Sequence, residues 1–281
     1  MKRLLRWVGI TLGILAGIAI IGYGVLYVLS EQALHRRYPI PAVTLSIPGD
    51  PASIAEGKRL ATVRGCFAAC HGKQVEGEVM FDKPMIARIV APNLAAAARK
   101  FSDRELAAII RNGVRPDGRS LLVMPSQTYA GLTDEDLGRI IAFLKSLPET
   151  PGLGPDISPG PLGRIGLAIG EFKMAAQHIA ESVPPPAATG EPATHGRYLA
   201  QTVCAECHGT ALQGDSNPSF TTPDLRMVAA YSAPDFVHLL RTGIAIGGRK
   251  LGVMTAQSQK NLKHLTDSEI ADLYSYLHSL K

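Results

Sequence analysis

The sequence predicts an all-α protein in which two similar helical domains follow one N-terminal transmembrane helix. Three observations support this prediction: an uncharged apolar run near the N-terminus, an internal repeat over most of the remaining chain, and helical spacing of apolar residues in each repeat. With 46% hydrophobic and 19% charged residues among 281, the chain is too apolar for a disordered protein. The predicted boundaries are a membrane anchor at 1–30, a linker at 31–54, a first domain at 55–148, a Pro/Gly-rich linker with a surface helix at 149–194, and a second domain at 195–281.

The N-terminal helix is predicted from Trp7–Leu29, a run without a charged side chain. About 20 apolar residues span a bilayer, whereas the apolar part of a cleaved signal peptide has roughly 7–15. Lys2, Arg3 and Arg6 precede the run, and cations on that side place the N-terminus in the cytoplasm. We therefore expect a single-pass anchor in the cytoplasmic (inner) membrane with the domains on the periplasmic side. Cleavage as a signal peptide is the alternative, and it also exports the domains.

Two further features of the anchor region bear on partners. Gly9, Gly13 and Gly17 are spaced four residues apart, which allows close packing of a second helix; small residues facing lipid are the other interpretation.

Three of the net +5 charges precede the anchor, so the exported part is close to neutral. We therefore expect no nucleic-acid partner.

The repeat covers residues 56–147 and 195–281. The matching segments are Gly57–Ala61 with Gly196–Ala200, Cys70–Gly72 with Cys207–Gly209, Pro92–Leu94 with Pro223–Leu225, and Arg111–Gly113 with Arg241–Gly243.

Each repeat ends in an amphipathic helix. Leu137, Ile140, Ile141 and Leu144 have the i, i+3, i+4, i+7 spacing of an apolar helix face, and the second repeat has the same spacing. Capping boxes at Thr133 and Thr266 precede these last helices, and similar boxes at Ser102 and Ser232 precede an earlier helix. No segment longer than four or five residues alternates as a strand does. We therefore expect helices joined by long loops in both domains.

All four cysteines lie in two matching clusters. Cys204–His208 is a CxxCH motif, in which two thiols about one helical turn apart reach the vinyl groups of one porphyrin and the histidine binds its iron. Cys66–His71 has the same arrangement with one extra residue. We predict two covalently bound c-type haems, with His71 and His208 as axial ligands.

The predicted thioether bonds involve Cys66, Cys70, Cys204 and Cys207. Because of the extra residue in the first motif, attachment through both thiols and attachment through Cys70 alone remain alternatives. Disulfides, a structural zinc site and a redox CxxC are the competing interpretations of the cysteine pairs. None of them explains why a histidine follows the second cysteine in both repeats.

The second axial ligands are predicted to be Met124 and Met254, which occupy matching places in loops before the last helix of each repeat. A thioether opposite histidine raises the reduction potential of the iron. The other methionines considered are interpreted as core residues, namely Met80, Met85, Met174 and Met227.

These motifs, with the runs 111–125, 132–136 and 141–148, resemble class I c-type cytochrome domains. More narrowly, the two units are similar to the haem modules of cytochrome c subunits that serve membrane-bound alcohol and sugar-acid dehydrogenases. The resemblance implies that the carbonyl groups of Pro92 and Pro223 accept a hydrogen bond from the ligand histidines. It also suggests cationic partners for the haem propionates, with solvated arginines as the alternative; the candidates are Arg111 and Arg241, or Arg119 and Arg249.

The expected function is electron transfer by a membrane-anchored dihaem cytochrome c, either alone or as a subunit, rather than catalysis. Single electrons would pass on the periplasmic face from a dehydrogenase or quinol-oxidising complex to a terminal oxidase or soluble cytochrome. We assign no catalytic residue. The alternatives are a dihaem enzyme, such as a peroxidase or thiosulfate-type dehydrogenase, and a dihaem subunit of a haem–copper oxidase.

Overall fold

The computed structural model describes residues 1–42, 44–217 and 220–280, and it is mainly helical. The α-helices of the described residues are α1 (Lys2–His35), α2 (Pro51–Val63), α3 (Leu94–Lys100), α4 (Asp103–Asn112), α5 (Ser126–Tyr129), α6 (Asp134–Ser146), α7 (Pro161–Ala168), α8 (Ala175–Glu181), α9 (Glu191–Leu199), α10 (Ala205–His208), α11 (Ala233–Thr242), α12 (Val253–Lys260) and α13 (Asp267–Ser279). The strands are β1 (Glu78–Lys83), β2 (Ala87–Ala91), β3 (Asp156–Pro159), β4 (Asp215–Asn217), β5 (Phe220–Thr222), β6 (Ile244–Ala245) and β7 (Arg249–Lys250).

Helix α1 contains the predicted apolar run and extends beyond it at both ends. It is long and apolar enough to cross a membrane, and its large apolar side chains are exposed along most of its length. The predicted fold class, a long N-terminal helix followed by two helical units, is confirmed.

In each domain the first and last helices cross at a glycine. A Cβ atom on Gly57 of α2 would lie 1.9 Å from the carbonyl oxygen of Arg139 on α6. A Cβ on Gly196 of α9 would lie 2.0 Å from the carbonyl oxygen of Asp272 on α13. Only glycine permits this approach, and the two crossings occupy matching places in the repeat.

The predicted helix starts are present with different degrees of completeness. Ser102 before α4 and Thr266 before α13 form reciprocal capping boxes with Glu105 and Glu269. Thr133 and Ser232 each accept the backbone N–H three residues ahead, which is the first half of the same motif.

The strands were missed by the sequence analysis. The first domain contains an antiparallel sheet in the order β1-β2-β3, and the second has the short hairpins β4–β5 and β6–β7. Strand β3 comes from the linker and pairs with β2, so that Val90 lies opposite Asp156. Such a pairing depends on segments far apart in the chain, and no local alternation announces it.

The linker also differs from the single surface helix that the sequence predicted. It forms two short helices, because the chain turns at Gly170, which has a φ of 78°. Helix α7 contacts α1, whereas α8 is held to the first domain: the N–H of Ala175 donates to the Leu121 carbonyl (2.8 Å).

The two domains contact each other through matching surfaces. Arg59 on α2 reaches Glu269 on α13, with Nη1 2.8 Å from Oε2 and Nη2 2.9 Å from Oε1. Tyr198 on α9 donates its hydroxyl to Asp136 on α6. Arg59 and Tyr198 match in the repeat, as do Asp136 and Glu269. Each domain therefore presents the same patch to the other, as in a two-fold symmetric dimer.

Arg64 lies within this contact and departs from the symmetry. Its side chain is only 1% exposed, and its Nη2 lies 3.2 Å from Oδ2 of Asp136. The same nitrogen donates to the Tyr198 hydroxyl (3.1 Å) and to Oγ1 of Thr202 (3.3 Å). Its carbonyl accepts a hydrogen bond from the hydroxyl of Tyr129 (2.8 Å). A buried cation thus connects the two domains beside the first cysteine cluster.

Candidate haem sites

The first cysteine cluster forms a wide helical turn. Helix α2 ends at Val63, Gly65 takes a left-handed conformation with φ 75°, and Cys66–Cys70 form a π-helical turn. A π turn contains one more residue per hydrogen-bonded loop than an α turn. The extra residue between the two cysteines is therefore accommodated within the turn, before His71.

The second cluster continues its helix instead. Helix α9 leads through a π-helical turn at Ala200–Cys204 directly into α10, which contains Cys207 and His208. Here the wide turn ends at Cys204, the first residue of the motif, and the remaining CxxCH residues lie in an ordinary α-helical turn.

Both histidines make the same hydrogen bond. Nδ1 of His71 lies 2.8 Å from the Pro92 carbonyl oxygen, and Nδ1 of His208 lies 2.8 Å from that of Pro223. A carbonyl oxygen only accepts, so Nδ1 carries the proton and Nε2 keeps its lone pair. Burial lowers the pKa of both imidazoles, and this favours the neutral form that binds a metal.

A cavity of about 570 Å³ adjoins the first cluster. Its walls include Cys66, Cys70, His71, Pro92 and Met124, together with apolar side chains from β2, α4 and α6. The volume lies within the range of cofactor pockets, and two thiols, an imidazole and a thioether meet in one apolar space. These residues fit a covalently attached haem.

The two predicted methionine ligands lie in different local structures. Met124 is in an irregular segment before α5 and lines the cavity. Met254 is not in a loop, as the sequence suggested, but in the first turn of α12, where it packs with Cys204 against the core of the second domain. Met80, which was interpreted as a core residue, also lines the first cavity.

The candidate propionate partners divide into two groups. Arg111 and Arg241 are both engaged in the protein: Arg111 contacts Asp134 (2.8 Å), and Arg241 contacts Asp267 (2.5 Å). These two ion pairs match in the repeat and fix the start of the last helix in each domain.

Arg119 differs from Arg111 in that it lines the first cavity, although it too is paired with an aspartate, and it has a neighbour that sequence reasoning missed. Arg115 and Arg119 both line the cavity, and Arg119 contacts Asp117 (2.7 Å). Burial and the adjacent Arg119 lower the pKa of Arg115. The corresponding Arg249 of the second domain is exposed. The spacing of two arginines around a Pro-Asp-Gly turn was the available signal for Arg115.

The second motif also contributes to the first cavity. Glu206, between Cys204 and Cys207, lies in the wall of the cavity that contains Cys66 and Cys70. Arg64 lines the same cavity. Neither residue could be placed there from sequence, because both positions depend on how the domains dock.

The cysteines are free thiols in this structure. Burial raises the pKa of Cys66 and Cys204 to about 12, and that of Cys70 and Cys207 to about 11. Among the described residues, no group of three or more His, Cys, Asp or Glu side chains is arranged to hold a metal ion.

The fold and the two clusters are those of a c-type cytochrome. The chain belongs to the cytochrome c family, whose model matches residues 54–148 and 193–281. It is similar to the cytochrome subunit of fructose dehydrogenase from Gluconobacter japonicus, at 24% identity over 81% of this chain and 52% of that protein. It is also similar to the cytochrome c subunit of gluconate 2-dehydrogenase from Pantoea cypripedii, at 27% identity over 82% of this chain and 60% of that protein. The chain thus spans about half the length of these relatives.

Family membership implies covalently bound haem c and a role in electron transfer. A bound haem supplies an iron that accepts and releases one electron.

Proposed function

We propose that this chain is a membrane-anchored dihaem cytochrome c that transfers single electrons on the periplasmic face of the inner membrane. The observation that carries the proposal is the repeated local geometry: in both domains a cysteine pair leads into a histidine whose Nδ1 is 2.8 Å from a proline carbonyl. Two equivalent sites of this kind support two haems per chain.

The protein's own groups fix the geometry and exclude water. The proline carbonyls hold the imidazole rings in one orientation and direct Nε2 toward the iron position. At the first site, Met124 lines the cavity and would supply the second ligand to the iron, and apolar walls would limit access of water. A site with both axial positions filled suits electron transfer rather than substrate chemistry.

The two sites are also adjacent. Glu206 of the second motif lies in the wall of the first cavity, and Arg59 and Arg64 both make contacts to the second domain. We infer that electrons pass between the two sites within one chain, without separation of the domains.

The proposed partners follow from the relatives and from α1. Both curated relatives are named as cytochrome subunits of dehydrogenases, so a membrane dehydrogenase is the proposed donor, with a quinol-oxidising complex as the alternative. A terminal oxidase or soluble cytochrome is the proposed acceptor. Helix α1, with Lys2, Arg3 and Arg6 at its start, would hold the domains on the periplasmic side.

The first test is the number of covalent haems per chain. A pyridine haemochrome assay on protein matured in a haem-attaching host, with peptide mass at each cluster, should give two haems. One haem confined to Cys204 and Cys207 would show that the first domain is not a haem site. Peptide mass also decides whether Cys66 forms a thioether.

The second test concerns the axial ligands. Met124→Leu and Met254→Leu should each remove the near-infrared band of methionine ligation from one haem, while haem content is retained. Met80→Leu is the matched control at the first cavity and should leave that band unchanged. If Met80→Leu removes the band instead, the assignment of Met124 is wrong. Binding of peroxide to the unsubstituted protein would favour a dihaem enzyme.

A further inference from the structure

The linker helix α7 is fixed to the end of the anchor helix. Nη1 of Arg164 lies 2.9 Å from Oγ of Ser30 and 2.7 Å from Oε1 of Glu31. The same guanidinium lies 3.9 Å from the centre of the Tyr27 ring. The side chain of Arg164 is only 14% exposed. Because the uncharged run of α1 ends at Leu29, α7 is held where the anchor leaves the apolar part of a bilayer.

Large apolar side chains lie exposed around this contact. Leu162 is 52% exposed, Ile169 68% and Phe172 44%. Met85, at the turn between β1 and β2, is 55% exposed and adjoins them, because its carbonyl accepts the N–H of Leu162 (2.8 Å). We call these four residues the apolar edge. Large exposed apolar side chains grouped in this way on a domain that faces water are typical of a binding surface.

We propose that the apolar edge lies in the headgroup layer of the membrane that α1 crosses, so that the first domain rests on the bilayer. This inference depends on the proposed anchoring by α1. The headgroup layer extends about 5–7 Å beyond the hydrocarbon on each side. Along the axis of α7, Leu162 is about 3 Å from Arg164, and Ala168 at its end is about 6 Å away. Ile169, the residue after α7, would lie about 8 Å from Arg164 along the same axis. Leu162 and Ile169 would therefore lie within or next to the headgroup layer.

Three cations near the apolar edge suit an anionic lipid surface, and the exposed acids Asp82 and Glu171 lie beside the same edge. Arg36 and Arg37 directly follow α1 and are exposed, and Lys83 is exposed beside the turn that contains Met85. Cations at this position interact favourably with anionic headgroups, while the apolar side chains enter the layer between them.

The contact would orient the first haem site toward the membrane. Strand β2 begins beside the apolar edge and contributes Ile89 and Val90 to the cavity that contains His71. A rigid sheet thus connects the membrane surface to the first site. The second domain, which has no contact of this kind among the described residues, would face the aqueous side.

The test uses the full-length haem-loaded protein in vesicles of phosphatidylcholine and phosphatidylglycerol. A spin label is placed at Ile169→Cys, at Ile18→Cys in the middle of α1, and at Ile246→Cys in the second domain. Ile246 is 56% exposed and is the matched control. The unsubstituted protein, treated with the same label, corrects for any free thiol at Cys66. Accessibility to a water-soluble nickel complex should be several-fold lower at Ile169 than at Ile246, and lowest at Ile18.

The label at Ile18 separates failure of this inference from failure of the anchor. If Ile18 is protected while Ile169 is as accessible as Ile246, the anchor is right and the membrane contact of the apolar edge is wrong. If Ile18 is also accessible to the nickel complex, the membrane part of the proposed function is wrong as well.

Discussion

The two cysteine clusters share their geometry at the histidine and differ in the residues that lead to it. Both histidines lie 2.8 Å from a proline carbonyl, although one motif has an extra residue between its cysteines. In the first domain a left-handed Gly65 and a π turn accommodate the longer segment, whereas the second domain keeps a continuous helical path. The comparison shows that the chain tolerates variation before the histidine and keeps the position of the histidine itself.

The contact between the domains also combines equivalent residues with different surroundings. Asp136 and Glu269 occupy equivalent positions, and each binds a side chain of the other domain. Asp136 also neutralises the buried Arg64, whereas Glu269 shares the more exposed Arg59 with Glu56. Equivalent carboxylates should therefore differ in their contribution to stability.

The largest expected effect is that of Asp136→Asn. It leaves the guanidinium of Arg64 buried without a carboxylate, and we expect the free energy of unfolding to fall by about 3–5 kcal/mol. Glu269→Gln should cost only about 1 kcal/mol, because Arg59 keeps Glu56 and is partly exposed. Urea unfolding, followed by haem absorbance and far-ultraviolet circular dichroism, measures both.

Asp156→Asn is the control for this pair, because Asp156 contacts Arg88 on an exposed part of the sheet. Its effect should stay within about 0.5 kcal/mol. Equal losses for Asp136→Asn and Glu269→Gln would contradict the asymmetry of the interface.

The second prediction concerns the helix crossings at Gly57 and Gly196, which occur in both domains. Gly57→Ala and Gly196→Ala each place a Cβ atom about 2 Å from a backbone carbonyl oxygen, so the crossing helices must separate. We expect each substitution to lower the free energy of unfolding by about 2–3 kcal/mol. Thermal or urea unfolding of the haem-loaded protein provides the measurement.

Gly154→Ala is the matched control for the helix crossings. No heavy atom lies within 4 Å of its added Cβ, and stability should be nearly unchanged. If only one of the two domains is destabilised, the crossings are not equivalent.

The sequence predicted the features that depend on local spacing. The helix starts at Ser102 and Thr266, the last helices, and the order of cysteines and histidine in each cluster all follow from residues close together in the chain. The repeat then extended the interpretation from the CxxCH motif to the spaced motif at Cys66–His71.

The missed features depend on contacts between distant segments. Strand β3 pairs with β2, although α3 to α6 lie between these two strands in the chain. The four residues 156–159 show no alternation that would predict a strand. Nothing in the sequence distinguishes Arg64 from other basic residues, because its burial depends on contacts with Tyr198 and Thr202 of the other domain. Glu206 enters the first cavity for the same reason.

The smallest expected effect is the pH dependence of the contribution that Glu269 makes to the free energy of unfolding. Burial acts to raise the pKa of Glu269, but hydrogen bonds from Arg59 and from the Thr266 backbone outweigh it and lower the pKa below its usual value. A carboxyl group with a lowered pKa in the folded state stabilises the protein above its unfolded pKa of about 4.3, and this contribution disappears as the pH falls through the folded pKa. The difference in unfolding free energy between the unsubstituted protein and Glu269→Gln should therefore be about 1 kcal/mol at neutral pH and should shrink as the pH falls below about 4.3. Glu56, whose pKa is also lowered, by its hydrogen bond from Arg59, is present in both proteins. A difference that does not shrink as the pH falls below about 4.3 would show that Glu269 stabilises the interface without its charge, and the comparison with Asp136 would then rest on packing alone.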